Sequence, residues 1–247
     1  MTRGARRPVT VLLLAALAAC SHSVTATPSP SVPESDAEPS LAAPSESAVA
    51  LCGPGTICNG PVTGGDYVSE ATGARVEFTL DDHGWYGLAE TPGVGFGLFL
   101  ADVDDAAISV LAFGGEYFID ACDPNGGTST TGTTPAEFMA MLTTRTGITA
   151  TDPIEVEIGG RPALQVDLTT TIEPECEVTG DPQIWVWTLP VGGPFDFYED
   201  EMARVIAVDG GSATLILVAE ARSVVKDYDH FLEHFTEVVE TMTITPL

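Results

Sequence analysis

The chain has 247 residues, with 36 Asp and Glu against 9 Lys and Arg and a formal charge of −27. Arg3, Arg6 and Arg7 stand at the N-terminus, so the remainder sets 36 acids against 6 bases. A surface so poor in cations excludes nucleic-acid binding by counterion release and opposes docking of the folded part on an anionic bilayer. An apolar fraction of 44%, even with 25 Gly and 18 Pro, predicts a core for most of the chain.

Residues 1–19 have the layout of an export signal: arginines, then an apolar run from Val9 to Ala19 broken only by Thr10. As a helix this run rises about 16 Å, too short for a hydrocarbon core of about 30 Å. It ends Leu17-Ala18-Ala19-Cys20, which resembles the lipobox of bacterial lipoproteins. The resemblance implies cleavage before Cys20, a diacylglyceryl group on its sulfur, and tethering at the outer face of the cytoplasmic membrane. Two acyl chains give stable anchoring where one gives only marginal binding. The alternative is an ordinary secreted protein cut at the same small residues.

Cysteine parity agrees with the anchor. Of five cysteines, lipidation of Cys20 leaves Cys52, Cys58, Cys122 and Cys176, an even number for an oxidising compartment. We expect Cys52–Cys58, which flank a tight Gly-Pro-Gly-Thr-Ile loop, and Cys122–Cys176, whose long loop is worth about 4 kcal/mol of chain entropy. The spacing does not resemble a zinc knuckle.

Residues 20–50 form a tether. Ser21 to Ala50 holds eight Ser, five Pro, six Ala and four acids, with no Phe, Tyr or Trp, a composition that cannot repay the entropy of ordering. It reaches about 30 Å as a coil and about 90 Å extended. Residues 51–65 are a Gly-rich lead-in, and residues 66–247 are one domain.

Within that domain, Arg75 to Leu80 alternates as a strand, and strand-like runs follow at Trp85 to Leu88, Gly97 to Ala101, Ala107 to Phe113 and Tyr117 to Ile119. Thr134-Pro135-Ala136-Glu137 is a helix start with its capping signals, and the helix should end by Gly147. Ile154 to Ile158 and Arg161 to Leu168 read as a hairpin about Gly159-Gly160. Ile184 to Leu189 is a strand, and Arg204 to Val208 with Thr214 to Ala219 a second hairpin. Asp227 to Glu240 is an amphipathic helix, and Thr241 to Thr245 a short strand or tail. Strands not separated by helices predict an α+β fold, an antiparallel sheet with two packed helices, preceded by signal peptide and disordered linker.

The runs Ile154 to Leu168 and Arg204 to Ala219, followed by the helix ending in Val238-Val239-Glu240-Thr241-Met242-Thr243-Ile244, resemble the PsbP-like α/β/α sandwich found in exported lipoproteins of high-GC Gram-positive bacteria. Tyr117 and Cys122 ahead of the Thr134-Pro135 helix add to the likeness. The resemblance spans about Arg75 to Ile244 and implies a binding or assembly role, with no shared catalytic residue to carry over.

Several constellations are candidates for chemistry. His230 and His234 stand at i, i+4 with Glu237 on the same flank, a spacing that presents two imidazoles and a carboxylate to zinc, although the H-E-x-x-H order is missing. Asp81-Asp82-His83 and Asp102-Val103-Asp104-Asp105 cluster carboxylates in loops without the EF-hand order. Trp185 and Trp187 share a strand face by period two and, with Phe195 and Tyr198, offer an aromatic platform or simply a core face. Asp196 and Glu199 beside these rings are the acid/base pair of a hydrolase reading. No G-x-S-x-G or Walker loop occurs. The sequence therefore favours a non-enzymatic, membrane-anchored extracytoplasmic module, without cofactor, that binds a cationic or cation-dependent protein or small molecule. The alternatives are a divalent-cation-binding surface protein and a small cell-wall or glycan hydrolase.

Overall fold

The computed structural model describes residues 49–50, 59–100, 103, 105–123, 125–172, 176, 182–222 and 227–247. In chain order the elements are β1 (Val49–Ala50), β2 (Gly60–Val62), β3 (Gly65–Ser69), β4 (Ala74–Leu80), β5 (Trp85–Thr91), β6 (Gly95–Leu100), β7 (Ala106–Phe113), β8 (Glu116–Phe118), β9 (Thr128–Thr130) and α1 (Pro135–Thr143). There follow β10 (Ile148–Ala150), β11 (Ile154–Ile158), β12 (Arg161–Thr170), β13 (Gln183–Thr188), β14 (Pro194–Tyr198), β15 (Glu201–Asp209), β16 (Thr214–Arg222), α2 (Tyr228–Thr241) and β17 (Thr243–Pro246).

These strands form three sheets. The central sheet runs β10-β12-β15-β16-β7-β6-β5-β2, with β11 also paired to β12. One smaller sheet runs β1-β3-β4-β17 and another β14-β13-β8-β9. Among the described residues every strand pairing is antiparallel except that of β1 with β3. The chain is therefore mostly β, 54% strand against 14% helix over the described residues. This corrects the expected α+β fold, the PsbP-like sandwich of one antiparallel sheet with two packed helices. The reason is physical. The central strands are apolar on both faces, and two nine- and fourteen-residue helices cannot cover both. Short strands complete the cover, and the pairings that close their sheets, β17 on β4 and β13 on β8, join segments too far apart in sequence for local periodicity to reveal.

The strands of the central sheet show the double burial directly. In β16, Leu215, Leu217, Ala219 and Ala221 enter one core with α2 and the sheet of β4, while Ile216 and Val218 enter the other with α1 and β13. Period two divides β7 and β15 in the same way. The first core is closed by Phe231, Phe235, Val238 and Val239 of α2, which packs on β4 and β16. The second is closed by Phe138, Met139 and Leu142 of α1 and by Trp187. Cys122 and Cys176 form a disulfide. Cys20, Cys52 and Cys58, with the signal segment, lie outside the described residues, as does the tether apart from Val49–Ala50. Among the described residues no helix is long and apolar enough to cross a membrane.

Local signals act where they were expected. Thr134 Oγ1 accepts from the Glu137 backbone N–H, and the Glu137 carboxylate accepts from the Thr134 N–H, a complete capping box at α1. Gly159 and Gly160 take φ of 59° and 75°, the left-handed pair that a two-residue turn between β11 and β12 requires. Thr134→Ala removes one half of the box. We expect it to lower unfolding free energy by about 1 kcal/mol, read as a reduced urea midpoint with an unchanged m-value.

Candidate metal centre

β4 ends at Leu80 and the chain turns through Asp81, Asp82, His83 and Gly84 into β5. One Asp81 carboxylate oxygen, Oδ1, fixes this turn, accepting from the His83 backbone N–H at 3.2 Å and from the Trp85 indole N–H at 2.8 Å. Trp85 is buried, so its ring anchors the turn in the core. α2 is held across the same strand: the Thr79 N–H of β4 donates to Thr241 Oγ1 at 2.9 Å, and β17 pairs with β4. The packing of α2 on β4 therefore brings the Asp81 turn against the middle of the helix.

There the other carboxylate oxygen, Asp81 Oδ2, meets two imidazoles. His83 Nδ1 lies 2.5 Å from it and His234 Nδ1 3.4 Å. One donor atom from each of Asp81, His83 and His234 falls within 4.8 Å of every other. The His83 and His234 rings stand 4.5 Å apart, centroid to centroid. Glu237 Oε2 reaches to 3.6 Å from His234 Nδ1. His234 is only 5% exposed, and its Nδ1 makes no hydrogen bond despite these near neighbours. A buried nitrogen lacking a partner is costly, and here it is aimed at a carboxylate and a second imidazole. His83 and Asp81 are partly open to solvent, with side chains 56% and 31% exposed, so an ion has an entry path.

The electrostatics keep the carboxylate ready as a ligand. Burial raises the Asp81 pKa, but the Trp85 indole bond, the His83 backbone N–H and the His83 imidazole together outweigh it and hold the group below its ordinary value. Two nitrogens and a carboxylate oxygen are the donor set of tetrahedral zinc sites, where bonds of about 2.0–2.1 Å place ligand atoms about 3.3 Å apart. The 3.4 Å separation of His234 Nδ1 from Asp81 Oδ2 fits that edge. The shorter His83 contact is a hydrogen bond, and the exposed His83 ring can back away to admit an ion. On the far side of His234, Nε2 lies 3.3 Å from His230 Nε2, and His230 Nδ1 lies 3.5 Å from Glu233. A neutral His234 with Nδ1 free for metal can thus donate its Nε2–H to His230, the outer-shell support typical of ligating histidines.

Of the residues singled out by sequence, His234 and Glu237 stand at this centre, and His230 stands beside it. Asp81 and His83, read only as part of an acidic loop, supply the rest. Their signal was the Asp-Asp-His turn itself, and only the packing of α2 on β4 joins it to the helix. Asp102 and Asp104 lie outside the described residues. Asp105 is exposed, and its carbonyl accepts from the Arg222 N–H. The aromatic platform dissolves because the register of β13 shifts between Trp185 and Trp187. Trp187 is fully buried, stacked on Phe195 at 4.1 Å, whereas Trp185 packs edge-on to Phe118. Tyr198 lies beneath the Arg222 guanidinium at 4.4 Å.

A second ionisable cluster occupies the end of the other core. Glu199 and Asp200 are exposed on a turn, while Glu201 is buried and accepts from the Tyr198 N–H at 2.7 Å. Burial pushes Asp196 up and lifts Glu201 from the ordinary 4.5 to about 7. Glu220 is raised by burial and then by Glu201 and Asp196. The inward pair is thus Asp196 and Glu201 rather than Asp196 and Glu199. The sequence matches no known protein family and no curated protein, so the functional reading rests on this geometry.

The native state keeps a proton on Glu201 that the unfolded chain releases as pH rises from 4.5 to about 7, so stability falls through that window and the loss is complete above it. Glu201→Gln should be neutral near pH 4 and stabilising by about 3 kcal/mol at pH 8, measured by urea unfolding at both pH values.

Proposed function

We propose that this chain is an exported, lipid-anchored binding module whose ligand is a divalent late-transition-metal ion, held by Asp81, His83 and His234 with Glu237 in reach. The observation that carries the reading is the buried, unpartnered Nδ1 of His234 facing Asp81 and His83. Imidazole nitrogens favour zinc, copper, nickel or cobalt, whereas calcium and magnesium want oxygen ligands. The cation-binding alternative, which the sequence centred on His230 and His234 or on the Asp102–Asp105 loop, thereby moves to Asp81, His83 and His234. A formal charge of −27 concentrates cations around the molecule without selecting among them. The role we assign to the site is capture or presentation of the ion.

The topology supports presentation near the membrane. Val49 and Ala50 pair in parallel with Tyr67 and Val68, and Gly65 at the start of β3 pairs with Leu80 at the end of β4. A chain entering β1 arrives from the end of this sheet where the Asp81 turn stands.

Two measurements test the reading. Calorimetric titration of the apoprotein with zinc should give one site per chain, with cobalt(II) producing the visible bands of a tetrahedral complex. His83→Ala and His234→Ala should each weaken binding by about 10- to 100-fold or more, while Asp105→Ala leaves it unchanged. Intact mass of the protein from native membranes should show a mature chain starting at a diacylated Cys20. An unmodified Cys20, or full recovery from culture medium, removes the anchor.

A further inference from the structure

We infer that the ion at this centre acts as a clamp: its occupancy holds α2, and with it β17, on the sheet. The inference rests on the metal-binding reading above and adds to it what the ion does to the protein. The donors come from two elements remote in sequence, the β4–β5 turn and α2, so an ion bonded to both closes a chain loop of roughly 150 residues. It also bridges the two pieces whose contact forms the site.

α2 needs such a bridge. α1 has a complete capping box, whereas Asp227, the N-cap of α2, makes no side-chain cap bond. No base stands in the last turn of α2, and Glu237 and Glu240 lie near the end where the helix dipole disfavours negative charge. Asp229, Glu233 and Glu237 follow one another at i, i+4 and repel, and no Lys or Arg occurs within the helix. What holds α2 is its apolar face, chiefly Phe231, Phe235, Val238 and Val239, together with the Thr79–Thr241 hydrogen bond at its C-terminal end. Between the two phenylalanines that face seats His234, whose buried Nδ1 has no hydrogen-bond partner. Docking the helix without an ion therefore leaves that atom short of a hydrogen bond, with Asp81 Oδ2 at 3.4 Å and Glu237 Oε2 at 3.6 Å as its nearest acceptors, and undocking returns it to water. An ion on Nδ1 satisfies it, offsets the charge of Asp81, and draws in Glu237. Only Met242 separates α2 from β17, which pairs with β4, so helix and strand open as one unit. Loss of the ion thereby favours a state in which Phe231 and Phe235 are exposed and the edge of β4 is bare. This links metal occupancy to the surface that the domain presents.

Amide hydrogen–deuterium exchange on the full chain tests this, comparing chelator-treated protein with the same protein saturated with zinc. Zinc should slow exchange across residues 229–246 by about tenfold or more, while exchange in β15 and β16 changes much less. His83→Gln, at an exposed position, keeps the fold and should abolish the slowing. Calorimetric zinc binding without a change in α2 and β17, or with uniform slowing across the molecule, overturns the clamp and leaves metal binding intact. Absence of zinc binding overturns both.

Discussion

Burial of the central sheet on both faces is the constraint from which the rest of the structure follows. β16 reads Thr-Leu-Ile-Leu-Val-Ala, with every one of these residues buried. Such a strand cannot leave either face to water, since each large aliphatic side chain is worth about 1.5–3 kcal/mol on burial. Two covers are therefore needed, and the chain builds each from one helix and one small sheet. On the first face the cover has a seam, where α2 meets the strand β4 and the turn that follows it. Apolar packing fixes the seam: Phe231, Phe235 and Val238 from the helix join Val76, Phe78 and Leu80 from the strand in one core. The polar residues at its rim, Asp81, His83 and His234, are brought together by that packing rather than by attraction among themselves. The proposed metal centre is a consequence of how the core is covered.

Much of the local structure was legible because its signals are short-range. Thr134-Pro135-Ala136-Glu137 starts α1, Gly159-Gly160 turns a hairpin, and the apolar stripe of Tyr228 to Val239 makes α2. The smaller sheets were not legible as sheets. β4 pairs with β17 across most of the domain, Glu77 opposite Thr243, and no periodicity within either strand encodes the partner. β13 misled for a different reason: a single register shift after Trp185 breaks the alternation that places Trp185 and Trp187 on one face, and a bulge leaves no mark in a two-residue pattern. At the metal centre, the His230–His234 spacing was visible, and so was the Asp81-Asp82-His83 turn. The contact between them was not, because it is tertiary. His234 also appeared to belong to the solvated flank, yet it is buried, since the edge of an apolar stripe is where helix periodicity discriminates least.

The few bases are spent on the fold. Arg75 pairs with Glu70 and Glu77, Arg161 with Asp209, and Arg204 with Asp167. Arg222 lies over Tyr198, and Arg145 donates to the carbonyls of Phe118 and Trp185, joining β8 to β13. With the described arginines committed in this way, few of the remaining described carboxylates have an arginine to meet. Most stand in water, where that costs little. On α2 the cost is greater, since its acids are stacked at helical spacing and run toward the wrong end of the dipole. Solution cations must supply the compensation that the sequence withholds.

The proposed site would add a second scale of cation binding to the one that charge alone supplies. The general acidic field acts within a Debye length of about 8–10 Å and attracts any cation in proportion to its charge. In a medium rich in calcium and magnesium, that field is occupied mostly by those ions. Selection needs donor chemistry, and at the seam the donors include two imidazoles, one of them too buried to be hydrated and lacking a hydrogen-bond partner. Hard cations gain little from nitrogen and lose water on entering, so the same feature that makes the site costly when empty rejects the abundant ions. A carboxylate-only site on this surface would fill with whichever ion is most plentiful. On the proposed reading His234 makes the seam selective, and its burial against the first core couples that selectivity to the docking of the helix.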